Sequence, residues 1–360
     1  MANVVLTGAH GFIGINILEK ILMANLEELG LEKASIPKFS NFDKEPQDRI
    51  ISSLITDLPD SLTRDNARRF AGSARVKYVD YENLFDTLEN LPEQPQVIVH
   101  NGACSSTTER DPAVFAKLNL GYSQKIWAYC TKHKIPLIYA SSAATYGDGS
   151  LGFSDKKGDC EKYTPLNLYG KSKLDFDIWA LKQKETPPTW FGLRYFNVYG
   201  QFEGHKGGQA SMVFHGYHQA TRTGKIKLFQ SNTSQYKDGD QVRDFIYIDD
   251  IVAVTLKLIR ICIDRKFGHS KLVLPENGMF LNVGTGATET WNNLAKNVFS
   301  ALGLPANIEY IPMPESVAGQ YQNYTCADLS SLRSVGVEHT FHTLEQGVTK
   351  YVQKHLLRGQ

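Results

Sequence analysis

The 360-residue sequence predicts an α/β fold: a doubly wound parallel sheet with a smaller C-terminal α/β domain. Three observations carry this. Short apolar runs alternate with helical patterns through the first half of the chain. The first run, Val4–Thr7, opens into Gly8-Ala9-His10-Gly11-Phe12-Ile13-Gly14 and then a helical pattern to about Leu26. Further on, an apolar run ending at Ser142 is followed about one helix later by Tyr169 and Lys173. Strand, glycine turn and helix together form the start of a Rossmann-type dinucleotide-binding unit. Gly8 permits the tight turn, Gly11 lets backbone approach a pyrophosphate, and Gly14 lets the helix pack closely. The helix N-terminus then offers unpaired N–H groups to the phosphates.

The remaining elements follow in order. A polar, irregular insertion, Glu32 to Asp48, precedes a second strand over Ile50–Thr56. Asp57 at its end reads as the ribose ligand. Arg64, Arg68 and Arg69 come next. They either grip a 2′-phosphate, which points to NADP rather than NAD, or form a solvated helix face; both readings stand. Val76–Val79 and Val97–Val99 are the third and fourth strands. The fourth runs into Asn101-Gly102-Ala103-Cys104-Ser105, small residues where a cofactor lies close to backbone. Asn119, on the following helix, either touches ligand or braces the sheet. Pro136–Ser142 is the fifth strand, Pro165 to Lys182 the helix carrying Tyr169 and Lys173, and Trp190–Tyr195 the sixth strand. Residues 1–196, with 244–283 returning to them, form the dinucleotide domain. Residues 197–243 and 284–360 form the substrate domain.

That second part opens with a basic glycine-rich loop, Glu203–Gln209, and a helix near Ala210–Thr223. Ser231–Gln241 is polar and reads as an exposed hairpin tip or lid. A strand and helix begin at Arg243, another strand covers Phe280–Val283, and helices near Thr290–Leu302 and Leu344–His355 close the chain.

Bulk properties narrow the function classes. Lys+Arg 39 against Asp+Glu 38 leaves a formal charge of +1, which points to no nucleic-acid or membrane partner. The odd, scattered set of five cysteines without a C-x-x-C pair suits free thiols in a reducing, cytoplasmic compartment. No apolar run approaches the roughly 18 residues of a membrane span, and Val4–Thr7 leaves no room for a signal peptide. His215 with His218, and His339 with His342, lack a third ligand at recognisable spacing. No metal is expected, and these histidines read as surface or substrate-facing groups.

Tyr169 and Lys173, four residues apart, share one helix face. A phenol titrates near pH 10. A nearby ammonium, with the positive ring of an oxidised nicotinamide, favours the phenolate. Tyr169 then accepts a proton from a sugar hydroxyl, with Ser142 hydrogen-bonded to the same oxygen.

These blocks resemble the extended short-chain dehydrogenase/reductase superfamily. Within it, Gly102–Glu109, Tyr139–Gly147, Arg194–Gly200, Glu203-Gly204-His205-Lys206-Gly207 and Glu309–Pro312 with Tyr321 look like the ADP-L-glycero-D-manno-heptose 6-epimerase family. The similarity covers most of the chain, and the Gly-His-Lys-Gly block is its most specific part. It implies Phe12, Ile13, Asp57, Arg64, Asn101 to Ser105, Asn119, Lys173, Val198 and Lys206 as cofactor neighbours. It implies Asn197, His215, Phe229, Arg243 and Tyr321 as substrate neighbours, an ADP-sugar substrate and a homo-oligomer. The implied reaction inverts C6 of the heptose by transient oxidation with bound NADP, for the inner core of lipopolysaccharide. Lys206 is the candidate second acid/base. Three departures stand out: the Glu32–Asp48 insertion, Gly208 where the family has a serine at the substrate, and the longer Ser231–Gln241 segment. The rivals are another sugar-nucleotide epimerase or dehydratase and a non-catalytic dinucleotide sensor. The absence of an acidic residue just after Ser142 disfavours dehydration, and the joint presence of Ser142, Tyr169, Lys173 and Lys206 disfavours the sensor.

Overall fold

The structure, a computed structural model, describes residues 2–23, 51–57, 66, 76–266, 278–319 and 321–359. In chain order its first six strands are β1 (Ala2–Thr7), β2 (Ile51–Asp57), β3 (Val76–Val79), β4 (Val97–His100), β5 (Leu137–Ser142) and β6 (Trp190–Tyr195). Then come β7 (Asn197–Tyr199), β8 (Ile226–Phe229), β9 (Val242–Arg243) and β10 (Phe245–Tyr247). The last are β11 (Met279–Val283), β12 (Glu289–Thr290) and β13 (Ile308–Ile311).

One seven-stranded sheet runs in the order β11-β6-β5-β4-β1-β2-β3, and every pairing in it is parallel. This is the expected doubly wound sheet. Every residue of β4 and β6 is buried, as continuous apolar runs covered on both faces require. The strand order reverses between β1 and β4, so a crevice opens beyond their C-terminal ends. Gly8–Gly14 leaves β1 there, and Asn101–Ser105 leaves β4.

Seven longer helices matter below: α1 (Phe12–Met23), α2 (Tyr122–Lys132), α3 (Leu168–Leu181), α4 (Met212–Thr223), α5 (Ile248–Lys266), α6 (Trp291–Leu302) and α7 (Leu344–Tyr351). Pro112–Phe115 and a π-helical turn over Ala116–Gly121 lead directly into α2. Helix α3 begins three residues later than the Pro165 start read from the sequence, because Asn167 caps it by accepting the Gly170 N–H at 2.8 Å.

Three small ladders fill the second half of the chain. β7 pairs with β10 and β8 with β13, both parallel, and β9 pairs with β12 antiparallel. The expectation of a hairpin tip at Ser231–Gln241 is therefore corrected. β8 and β9 flank that segment but belong to different ladders. The segment is held instead by Asn292 at the start of α6, whose amide donates to the Asp238 carbonyl and the Asp240 carboxylate at 3.0 and 2.8 Å.

The His339/His342 pair is also corrected from free surface groups. Both rings bond Oδ1 of the buried Asp250, at 2.8 and 2.9 Å. This cross-link ties α5 to the segment before α7. Among the described residues no group of side chains is arranged to hold a metal, and no helix is long and apolar enough to cross a membrane.

Candidate active site

The glycine turn comes first. Gly8 has φ +67°, and a Cβ there would meet the Asn101 carbonyl carbon at 2.7 Å and the Gly102 nitrogen at 2.6 Å. A Cβ at Gly14 would drive into the Gly8 carbonyl. Both positions therefore need glycine for the protein's own packing. Gly11 differs: its Cβ would find the Gly8 oxygen at an ordinary 3.4 Å. Room left by the protein at that position suits the close approach of a ligand. Phe12 is buried and Ile13 is half-buried at the first turn of α1.

The facing loop is built around Thr7 and His100. The Gly102 N–H donates to the Thr7 hydroxyl at 3.1 Å. His100 bonds that hydroxyl through Nδ1 at 2.7 Å and Ser123 through Nε2 at 2.9 Å. Burial keeps His100 neutral, with its pKa lowered to about 3. The unfolded chain takes up this proton near pH 6.5. It therefore binds more protons than the folded chain between those values, and stability is lost as pH falls through that window. In His100→Gln, stability measured by urea unfolding should fall less steeply on acidification below about pH 6.5. An unchanged slope would count against this account.

Asn119 sits in the π-helical turn and is fully buried. It accepts from the Cys104 N–H at 2.8 Å and donates to the Cys104 carbonyl at 2.9 Å and the Ser172 hydroxyl at 2.8 Å. This is the bracing alternative: the side chain is occupied in fixing Ala103-Cys104-Ser105 against α3. Asn101 is the opposite case. Both polar atoms of its side chain are buried without a hydrogen-bond partner among the described residues. Together with the open face of Gly11, this orphaned amide fits a dinucleotide lying across the β1/β4 crevice. Asp57 ends β2 as expected; its side chain, and Arg64, Arg68, Arg69 and the 32–48 insertion, lie outside the described residues.

Tyr169 and Lys173 stand one turn apart in α3, as their spacing predicts. Ser142 favours the Tyr169 phenolate and opposes the rise that burial imposes. The expected effect of Lys173 on Tyr169 is corrected. The Lys173 ammonium donates to the Ala140 carbonyl at 2.9 Å, and burial lowers its pKa to about 8 against the pull of Asp177. Burial raises the Tyr169 phenol above its usual range, with only Ser142 opposing. The lysine's ammonium is directed at the strand carbonyl. The protein alone thus holds Tyr169 protonated, and the phenolate needs a charge that arrives with a ligand.

Lys206 lies in a short 3-10 turn, Gly204–Gln209, half-buried, with its ammonium 5.0 Å from the Phe12 ring centre. That places it beside the glycine turn, on a segment separate from α3. Burial lowers its pKa, and Glu203 opposes the shift. Asn66, which the sequence did not single out, donates to the His10 carbonyl at 2.9 Å and lies 3.5 Å from His205 in the same turn. Val198, in β7, is half-buried.

Arg243 forms a second centre. It is buried, its guanidinium 4.8 Å from the Tyr321 ring centre and 5.6 Å from that of Trp291. A structural ion pair with Asp244 or Asp249 is ruled out. Asp244 accepts from the N–H groups of Thr285, Gly286 and Ala327, and Asp249 pairs with Lys350 at 2.5 Å. No carboxylate pairs with Arg243 among the described residues. Two residues before it, Gln241 is buried, and neither atom of its side-chain amide is bonded among the described residues. Gln241 and Trp291 were missed in the sequence, where nothing marks a glutamine at i−2 of an arginine as part of a site. Asn197 approaches from β7, its side-chain oxygen accepting from Thr325 at 3.4 Å. Phe229 ends β8, paired with Ile311 of β13. His215 packs edge-on against Phe214 in α4, and no contact brings it to Arg243.

The chain's similarity to known proteins supplies its family. Residues 4–265 match the model of the NAD dependent epimerase/dehydratase family. The chain is 40% identical over 292 residues to the ADP-L-glycero-D-manno-heptose-6-epimerase of Fusobacterium nucleatum subsp. nucleatum, covering 78% of this chain and 84% of that one. It is 37% identical over 354 residues to the protein of the same name from Nitratidesulfovibrio vulgaris, covering 98% and 97%. This chain belongs to the NAD dependent epimerase/dehydratase family. It is an epimerase, and its cofactor is a nicotinamide dinucleotide. Among solved structures, the Helicobacter pylori ADP-L-glycero-D-manno-heptose-6-epimerase superposes with a TM-score of 0.72 at 24% identity, covering 98% of this chain and 96% of that one. That likeness bears on the fold, which spans both the main sheet and the smaller ladders.

Proposed function

We propose that this epimerase interconverts ADP-D-glycero-β-D-manno-heptose and its L-glycero epimer at C6, with NADP as the bound dinucleotide. The carrying observation is Lys206, a second ionisable group brought to Phe12 by its own turn while Tyr169 stands with Ser142. The names of the relatives, at 40% and 37% identity, supply the sugar and the nucleotide, and with them the lipopolysaccharide inner core as the product's destination. A homo-oligomeric cytoplasmic enzyme is part of the same reading.

C6 of the heptose bears a secondary hydroxyl and no adjacent carbonyl. Its C–H is too weakly acidic for direct deprotonation, so inversion requires transient oxidation to a ketone. When bound, the dinucleotide supplies the two-electron acceptor and donor and the ring charge that favours the Tyr169 phenolate. Tyr169 takes the hydroxyl proton in one orientation while Ser142 hydrogen-bonds the same oxygen. Rotation about the bond from C6 to the ring presents the other face of the ketone and carries the oxygen away from Tyr169. Lys206, protonated, gives that oxygen its proton. Run backwards, the two residues exchange roles. Arg243 holds the diphosphate, since a planar guanidinium matches phosphate oxygens in pairs, and Tyr321 and Trp291 fix its plane.

Two results check the binding residues. Arg243→Met should raise KM for the ADP-sugar about tenfold or more, as loss of a charge-assisted hydrogen bond implies, with the melting temperature unchanged. An unchanged KM with a lowered melting temperature would assign Arg243 to the framework instead. Arg64→Ala should weaken NADP by about one to two decades and NAD far less. Equal losses for both nucleotides, measured by fluorescence titration, would remove Arg64 from a 2′-phosphate site.

A further inference from the structure

The residue preceding the glycine-flanked turn has no part in the chemistry above. Glu203 is completely buried, and a buried carboxylate demands an explanation. Its oxygens are met only by donors. The Ser211 N–H approaches at 2.6 Å, the Ser211 hydroxyl at 2.7 Å and the Gly200 N–H at 3.3 Å. Burial raises the Glu203 pKa, and the Lys206 charge and the bonds from Ser211 and Gly200 oppose it; each carboxyl oxygen takes a backbone N–H, as suits a carboxylate. Gly200 lies before the turn and Ser211 after it, so one side chain closes both ends. The Lys206 N–H completes the turn by donating to the Glu203 carbonyl at 2.9 Å. The charge relation is reciprocal. Burial lowers the Lys206 pKa and Glu203, at the start of the same turn, opposes it; burial raises the Glu203 pKa and Lys206 opposes it. The element packed beneath the ammonium, α1, contributes the uncharged Phe12 ring.

We propose that Glu203 is the positioning residue of Lys206: its buried carboxylate joins the two ends of the 204–209 turn and keeps the ammonium charged over Phe12 between turnovers. This rests on Lys206 being the second acid/base. Burial alone would drive the amine toward its neutral form, useless for protonating the ketone oxygen; a fixed anion three residues away restores the proton that the reaction spends. The same anion must stay out of the substrate's reach, and the donors from Gly200 and Ser211 hold it there.

The test reads Lys206 directly, by trace acetylation across a pH series with the modified lysine quantified by mass spectrometry. In Glu203→Gln the midpoint for Lys206 should fall by about one pH unit, a tenfold change in its protonation constant. In Ser211→Ala, which loosens the turn and keeps the charge, it should stay near the wild-type value. A wild-type midpoint in folded Glu203→Gln overturns the proposal. If that variant does not fold, the reciprocal measurement decides: in Lys206→Met the Glu203 carboxyl, followed by carbon NMR, should titrate at higher pH, and an unmoved titration overturns the proposal. Neither readout uses turnover, so an active Lys206→Met would defeat the acid/base role of Lys206 and leave the Glu203–Lys206 coupling to be judged on its own data.

Discussion

Tyr169→Phe should lower kcat for both heptose epimers by about two to four orders of magnitude, the range general acid–base groups supply, with KM little changed. Lys206→Met should do the same, although the two residues lie on different segments and share no hydrogen-bond partner among the described residues. The reason is that each epimer needs a proton removed at one face and returned at the other, so one surviving group cannot complete the cycle. Each variant should keep half of the chemistry. Given an analogue with an aldehyde at C6, free to be both oxidised and reduced, each should still turn over with its remaining base. Lys206 acting only as a phosphate ligand would show as a raised KM with kcat intact. Full epimerase activity in Lys206→Met would leave Tyr169 serving both faces.

The second large effect concerns stability. Arg194 and Asp177 are a fully buried ion pair at 3.1 Å. Removing one partner of such a pair costs about 3–5 kcal/mol, because the other charge is stranded. Asp177→Asn should therefore lower unfolding free energy by about that amount in urea titration. Swapping both residues for apolar ones is often harmless elsewhere, but here other groups depend on the pair. Tyr139 and Ser141 donate to Asp177 at 3.0 and 2.9 Å. The Tyr146 hydroxyl accepts from Arg194 at 3.1 Å and donates to Asn282 at 2.5 Å. The double replacement should thus be no more stable than Asp177→Asn; a double variant at wild-type stability would show that these hydroxyls find other partners. Ser141 is the neighbour of Ser142 and Asp177 lies one turn beyond Lys173, so the network also fixes strand against helix beside Ser142 and Lys173.

The parallel sheet could be read from the chain because its strands are local apolar runs, and β3 and β6 lie where the runs alone put them. Tyr169 with Lys173 could be read because four residues is one helical turn. What escaped was whatever depends on distant segments meeting. Asp250 finds its histidines 89 and 92 positions away. Asp177 meets Arg194 only because α3 packs on β5, the neighbour of β6. Spacing also suggested the wrong electrostatics for Lys173: it gives proximity to Tyr169, but not the Ala140 carbonyl that takes the ammonium, nor the burial that raises the phenol. The Glu203–Gln209 segment read only as a basic glycine-rich loop, and a buried carboxylate that closes it cannot be seen without the fold.

The segment from Ser231 to Gln241 leaves β8 beside β13 and enters β9 beside β12. In a hairpin, an added residue shifts the pairing of both arms and turns every side chain to the opposite face. Here neither arm reads its alignment from the other, so length can change without disturbing either ladder, at an entropic cost that grows only with the logarithm of the loop. Arg243 is fixed by β12, and Asp244 behind it by Thr285 and Ala327; both keep their positions whatever precedes them. The segment is thus a natural grafting point. Shortening it should leave both ladders, and Arg243 with Asp244, where they are.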